Sequence, residues 1–166
     1  MLFTAIIYTA SLSLLLASRW IRGEWKWGYL IGGFCFGLYN EFLFEFCWDY
    51  SPALKPFVWR DVPLIVVTGW GVIGIIAMSV SDRVQAWGLR RFPGLQGHPG
   101  LLLLALDVLV YAAVGVPQEV LMSDKGYWKY NFPLQGELPI QILGYVGVAL
   151  LLSSLGRRIE SFRSAT

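Results

Sequence analysis

The chain has 166 residues, 56% of them hydrophobic and only 14% charged, with a mean hydropathy of +0.57. A soluble domain carries about a quarter charged residues, so this composition excludes a soluble enzyme or a nucleic-acid-binding module and points to one polytopic membrane domain over 1–166. The net charge of +2 dictates no partner, and the two cysteines, Cys35 and Cys47, lie too far apart along one apolar segment to pair.

Apolar runs of roughly 17 to 22 residues match a hydrocarbon core about 30 Å thick. They predict an all-α integral membrane fold of about five transmembrane helices, at about 2–18, 28–47, 62–80, 100–121 and 138–155. The first run, MLFTAIIYTASLSLLLASRW, has its charges after the apolar stretch and reads as a retained helix rather than a signal peptide. The second contains Asn40, Glu41 and Glu45, and a carboxylate is among the costliest side chains to place in hydrocarbon. Glu41 lies about 20 Å along this helix from Gly28 at 1.5 Å per residue. Gly37 is one turn below it and Glu45 one turn above, on the same face.

Beyond this run Asp49 belongs to a wet loop, and Asp61 precedes Pro63 at the start of the third helix, where an acid suits the positive helix end. The third run closes with SDRVQAWGLRRF, residues 81–92, which reads as a connector along the membrane surface. In the fourth run Asp107 lies about 10 Å from the start, Tyr111 is one turn further, and Glu119 is near the far end after Pro117. His98, the single histidine, sits in QGHPG and reads as a turn residue. With no other imidazole, neither a metal nor a cofactor is expected.

Two segments echo each other. WDYSPALKPFVWRDVPLIVVTGWGV starts at Trp48 and WKYNFPLQGELPIQILGYVGV at Trp128. Each reads W-x-Y, a proline-containing loop, an acid (Asp61 or Glu137), an apolar residue, a proline and then a glycine-containing helix. The pattern suggests an internal repeat of two helices, spans two and three against spans four and five, and repeats often place a site at their interface.

Basic residues sort by side. Arg19, Arg22, Lys26, Arg83, Arg90, Arg91, Arg157, Arg158 and Arg163 fall at one end of the predicted spans; Lys55, Arg60, Lys125 and Lys129 fall at the other. The positive-inside rule then puts the chain in the cell membrane with its N-terminus outside and its C-terminus in the cytoplasm.

The segment LLLALDVLVYAAVGVPQEVLMSDKGYWKYNFPLQGELPIQILGYVG is similar to membrane proteins of carotenoid biosynthesis. It resembles the carotenoid hydratases and, more distantly, the small membrane lycopene cyclases. The likeness spans roughly residues 35 to 155 and rests on Asp107, Pro117, Gly126-Tyr127-Trp128-Lys129-Tyr130 and Pro139. Glu41 corresponds to the acid-bearing helix ahead of an aromatic loop, and Pro117-Gln118-Glu119 matches part of the cyclases' Pro-x-Glu element. The chain is shorter than the hydratases and lacks their extra helices.

Together, the intramembrane acids and this likeness lead to an enzyme acting on an isoprenoid or other polyene lipid. Glu41, Asp107, Glu45 and Glu119 are the candidate catalytic residues, one protonating a carbon–carbon double bond and a second taking the proton back or activating water. The outcome is cyclisation, isomerisation or hydration. Asn40, Phe44, Trp70, Tyr111 and Trp128 are the candidate substrate-binding residues, their rings stabilising the carbocation. Two other readings stay open. One is a non-enzymatic subunit or scaffold of a larger membrane complex, homo- or hetero-oligomeric; the other is a proton-coupled carrier using Glu41 and Glu45.

Overall fold

A computed structural model describes residues 26–132 and 138–165. The first predicted span and Glu137 lie outside the described residues. The remainder is mostly helical, with four α-helices: α1 (Trp27–Leu43), α2 (Leu64–Arg91), α3 (Pro99–Asp124) and α4 (Leu138–Ser164). Leu64–Arg91, Pro99–Asp124 and, within α4, Pro139–Arg163 are each long and apolar enough to cross a membrane. At 1.5 Å per residue these measure about 37–42 Å, more than a hydrocarbon core needs. The 17 residues of α1 measure about 26 Å by the same rise.

The helix boundaries correct the predicted spans in two directions. α2 and α4 continue about ten residues past the ends of their apolar runs. Residues 81–91 are therefore the last turns of α2 rather than a surface-lying connector, because Ser81 is fully buried and Asp82 is tied by ion pairs to Lys26 and Arg157. In contrast, α1 ends at Leu43 and gives way to a 3₁₀ turn at Glu45–Cys47, so Glu45 leaves the helical face that holds Glu41.

α1 packs against α2 and α4, and α3 packs against the same two helices. The α1–α4 approach is close: a β-carbon on Gly32 would come within 2.5 Å of the Gly156 α-carbon. Small residues allow such backbone proximity where neighbouring apolar surface supplies no driving force. Tyr29, Phe36, Ile75, Met78, Tyr111, Tyr145 and Leu152 form the core between the helices. Large apolar side chains such as Leu101, Leu109, Leu143 and Leu151 point outward, each more than half exposed.

The expectation of an all-helical chain holds for this body but not for the loops at its far end. There β1 (Trp48–Tyr50), β2 (Phe57–Trp59), β3 (Val62–Pro63) and β4 (Trp128–Tyr130) form two small antiparallel sheets, β1 with β4 and β2 with β3. The two W-x-Y segments pair symmetrically, Trp48 opposite Tyr130, Asp49 opposite Lys129 and Tyr50 opposite Trp128. Alternation along a strand puts the aromatic residues on one face. The opposite charges of Asp49 and Lys129 meet, exposed, on the other. Asp61, expected at the start of α2, does not cap it: its carboxylate accepts the Tyr50 backbone N–H at 3.2 Å and holds the loop to β1.

Candidate active site

Glu41 ends α1 almost fully buried, 1% exposed. Its Oε2 accepts the Tyr50 hydroxyl at 2.6 Å, and its Oε1 accepts the Trp70 indole N–H at 2.9 Å and the Asn40 amide at 3.3 Å. Three elements converge here because Gly37, one turn earlier, leaves the space that Trp70 occupies: a β-carbon on Gly37 would lie 2.9 Å from Trp70 Cβ and Cδ1.

Glu119 repeats the arrangement on α3. Its Oε2 accepts the Tyr130 hydroxyl at 2.5 Å and the Trp128 indole N–H at 3.1 Å, and its Oε1 accepts the Tyr145 hydroxyl at 3.4 Å. Gly115, one turn earlier, has the Tyr145 ring packed directly against it, in contact with where a β-carbon would be. The two acids share a sequence context: Gly37-Leu38-Tyr39-Asn40-Glu41 and Gly115-Val116-Pro117-Gln118-Glu119 each read glycine, two residues, an amide and the acid. Each acid is bound by the tyrosine of its own W-x-Y strand and by an aromatic residue that follows a glycine, Gly69-Trp70 or Gly144-Tyr145.

Both acids line one cavity of about 310 Å³ between α1, α2, α3 and α4, together with Asn40, Gln118, Trp48, Tyr50, Trp70, Trp128, Tyr145 and aliphatic residues of α2. The Trp48 indole N–H is buried without a partner among the described residues. Burial first, and the Glu41 charge second, hold the Tyr50 phenol well above its ordinary range; burial and then Glu119 push Tyr130 up likewise. Both phenols are therefore protonated donors at neutral pH.

Asp107 belongs elsewhere. It is 1% exposed, but Arg157 grips both its oxygens, at 2.5 and 2.9 Å. Arg157 also donates to Asp82 at 3.1 Å, and Asp82 accepts Lys26 at 2.8 Å and the Tyr29 hydroxyl at 2.7 Å. No Lys or Arg is close to Asp107 in the sequence; α4 supplies one by continuing past its apolar run and carrying Arg157 into the bundle. The positions again correspond. Tyr29 and Asp107 each lie twelve residues before a cavity acid, and Asp82 and Arg157 lie twelve after Trp70 and Tyr145.

Of the other candidates, Glu45 is half-buried and paired with Arg60 at 3.0 Å, and Phe44 is 39% exposed. Tyr111 is fully buried in the core, with its hydroxyl unpartnered among the described residues. None of these three lines the cavity, whereas Asn40, Trp70 and Trp128 do. Sequence reasoning missed Tyr50, Tyr130, Tyr145 and Gln118 as site residues. The shared glycine–amide–acid pattern was the signal that marks Gln118. Among known proteins, no family model, no curated protein and no solved structure matches this chain.

Proposed function

We propose that the chain is a multi-pass membrane enzyme acting on one end of an isoprenoid-type polyene by proton transfer between Glu41 and Glu119. The observation that carries this reading is a pair of buried acids facing one cavity walled by aromatic rings and aliphatic side chains. One acid, as its carboxylic form, gives a proton to a terminal carbon–carbon double bond. The resulting tertiary carbocation faces the rings of Trp48, Tyr50, Trp70, Trp128 and Tyr145, whose electron-rich faces attract cations. A neighbouring double bond then closes a ring, or water adds. The other carboxylate takes up the proton released, so the site carries the same net charge before and after the reaction. The cavity volume is at the small end of ligand pockets, about 300–1,000 Å³, which suits a polyene end group with the rest of the chain lying in lipid. Asp107 takes no part in this chemistry; Glu119 fills the role expected for it.

The same proposal includes the membrane topology and its origin. The bundle is read as spans two to five of a five-span chain in the cell membrane, its Lys26 and Arg157 end cytoplasmic and its N-terminus outside. The outward-facing leucines and the surplus of arginines at one end support this. An internal repeat is supported by the symmetric β1–β4 pairing and by the corresponding positions of the two acids and their donors. Expression in a lycopene-producing host, with pigment analysis, tests the activity. The expected result is a new cyclised, isomerised or hydrated product, lost in Glu41→Gln and in Glu119→Gln and retained in Asp107→Asn protein that folds. An unchanged pigment profile from the native chain, or full activity in both Gln variants, removes the proposal.

A further inference from the structure

The cavity contrasts with the other buried acids in how its charge is met. Asp107 and Asp82 are neutralised from within by Arg157 and Lys26. Glu41 and Glu119 receive only neutral donors: the hydroxyls of Tyr50, Tyr130 and Tyr145, the indoles of Trp70 and Trp128, and the Asn40 amide. No Lys, Arg or His lines the cavity among the described residues. Each acid thus has three hydrogen-bond donors on its two oxygens and no cation in contact. A carboxylate ionised here is hydrogen-bonded but lacks a counter-charge.

The walls select the kind of cation that would supply one. Five aromatic rings surround the space, and a phenol or indole that donates to a carboxylate has its ring made more electron-rich, which strengthens attraction for a cation over its face. A carboxylate offers about four acceptor sites. With three of them occupied on each acid, little is left to receive the N–H groups of a primary ammonium or a guanidinium. A cation with no hydrogen to donate and an apolar surface meets neither difficulty.

The geometry points to a binding site for a compact quaternary ammonium ion with apolar substituents, held between Glu41 and Glu119 and caged by Trp48, Tyr50, Trp70, Trp128 and Tyr145. This inference uses the same cavity as the polyene reading but does not rest on its proton transfer.

Benzyltrimethylammonium and its uncharged isostere neopentylbenzene test it on the full chain in detergent at pH 8, followed by tryptophan fluorescence and by calorimetry. The expected result is at least tenfold tighter binding of the cation than of the isostere, and tighter binding than of benzylammonium. The cation's advantage falls tenfold or more in Glu41→Gln/Glu119→Gln, while isostere binding persists and reports that the cavity is intact. Equal binding of cation and isostere by the native chain overturns the proposal, as does an undiminished cation advantage in the double Gln variant. Pigment conversion without cation binding would leave the polyene reading standing and remove this one; cation binding with an unchanged pigment profile would do the reverse.

Discussion

Replacing Arg157 by Met tests whether the Asp107 cluster is a structural tie. The substitution keeps the side chain's apolar stem and deletes both charge-assisted hydrogen bonds to a carboxylate that is 1% exposed. Such bonds contribute about 1.5–3 kcal/mol each, and removing one partner of a buried ion pair costs about 3–5 kcal/mol because the remaining charge is left unpaired. The two routes agree on a loss of about 3–5 kcal/mol. Asp82 adds little to it, since Lys26 at 2.8 Å and Tyr29 at 2.7 Å still serve its carboxylate. Arg157→Lys keeps the charge but not the planar fork, so it loses one of the two bonds and falls in between. Asp107→Leu/Arg157→Met removes both charges and is less destabilised than Arg157→Met alone. The assay is reversible unfolding of the purified chain from mild detergent into dodecyl sulfate, followed by circular dichroism. A loss under about 1 kcal/mol for Arg157→Met, the usual worth of an exposed pair, would refute the tie, as would a double variant less stable than the single one.

Gly115→Ala puts a methyl group into the Tyr145 ring and is expected to cost about 1–3 kcal/mol as overpacking. Gly144→Ala meets nothing within 4 Å and is expected to be neutral or stabilising by up to about 1 kcal/mol; thermal melts of the two separate the cases. Gln118→Lys places an ammonium in the cavity beside both acids: it should abolish pigment conversion and benzyltrimethylammonium binding while leaving the melting temperature unchanged or raised, and retained cation binding would contradict the cavity's assignment. Single cysteines at Lys55 and Lys129, in a background lacking Cys35 and Cys47, should react with the same membrane-impermeant maleimide from the same side, with a cysteine at Arg90 reacting from the other.

The three helices long and apolar enough to cross a membrane were legible because each has an apolar run of the right length, and Glu41 was legible because its cost in such a run is high. Asn40, Trp70, Trp128 and Glu119, also singled out from the sequence, line the same cavity as Glu41. The errors share one physical cause. Hydropathy ends a span where the apolar run ends, but a helix continues for as long as its polar residues find partners. Asp82 and Arg157 lie just past the predicted limits at 80 and 155, so both were counted as interfacial charges although they pair inside the bundle. That in turn left Asp107 looking unpartnered. Glu45 shows the opposite error: its run of apolar neighbours extends the predicted helix to 47, whereas the chain turns at Leu43 to deliver Trp48-x-Tyr50 to β4. Tyr50 and Tyr130 fit an aromatic belt by composition, and only strand pairing turns their hydroxyls toward the acids.

Two polar layers thus occupy corresponding positions at opposite ends of the same four helices, and they differ in a way that composition alone does not reveal. In the layer of Tyr29, Asp82, Asp107 and Arg157, one position of the corresponding pair on α2 and α4 is acidic and the other basic, so the layer neutralises itself and closes. In the layer of Glu41, Trp70, Glu119 and Tyr145, the acids stand at corresponding positions and the neutral donors at the others, so neither side supplies a cation to the other. Two acids met only by neutral donors form no ion pair across the bundle, and a cavity lies between them. The first layer fixes how the helices sit against each other; the second can keep a destabilising pair of acids only because the first holds the bundle together. Loss of stability should therefore follow changes at Arg157, and loss of function changes at Glu41 and Glu119, even though all three are charged groups buried between the same helices.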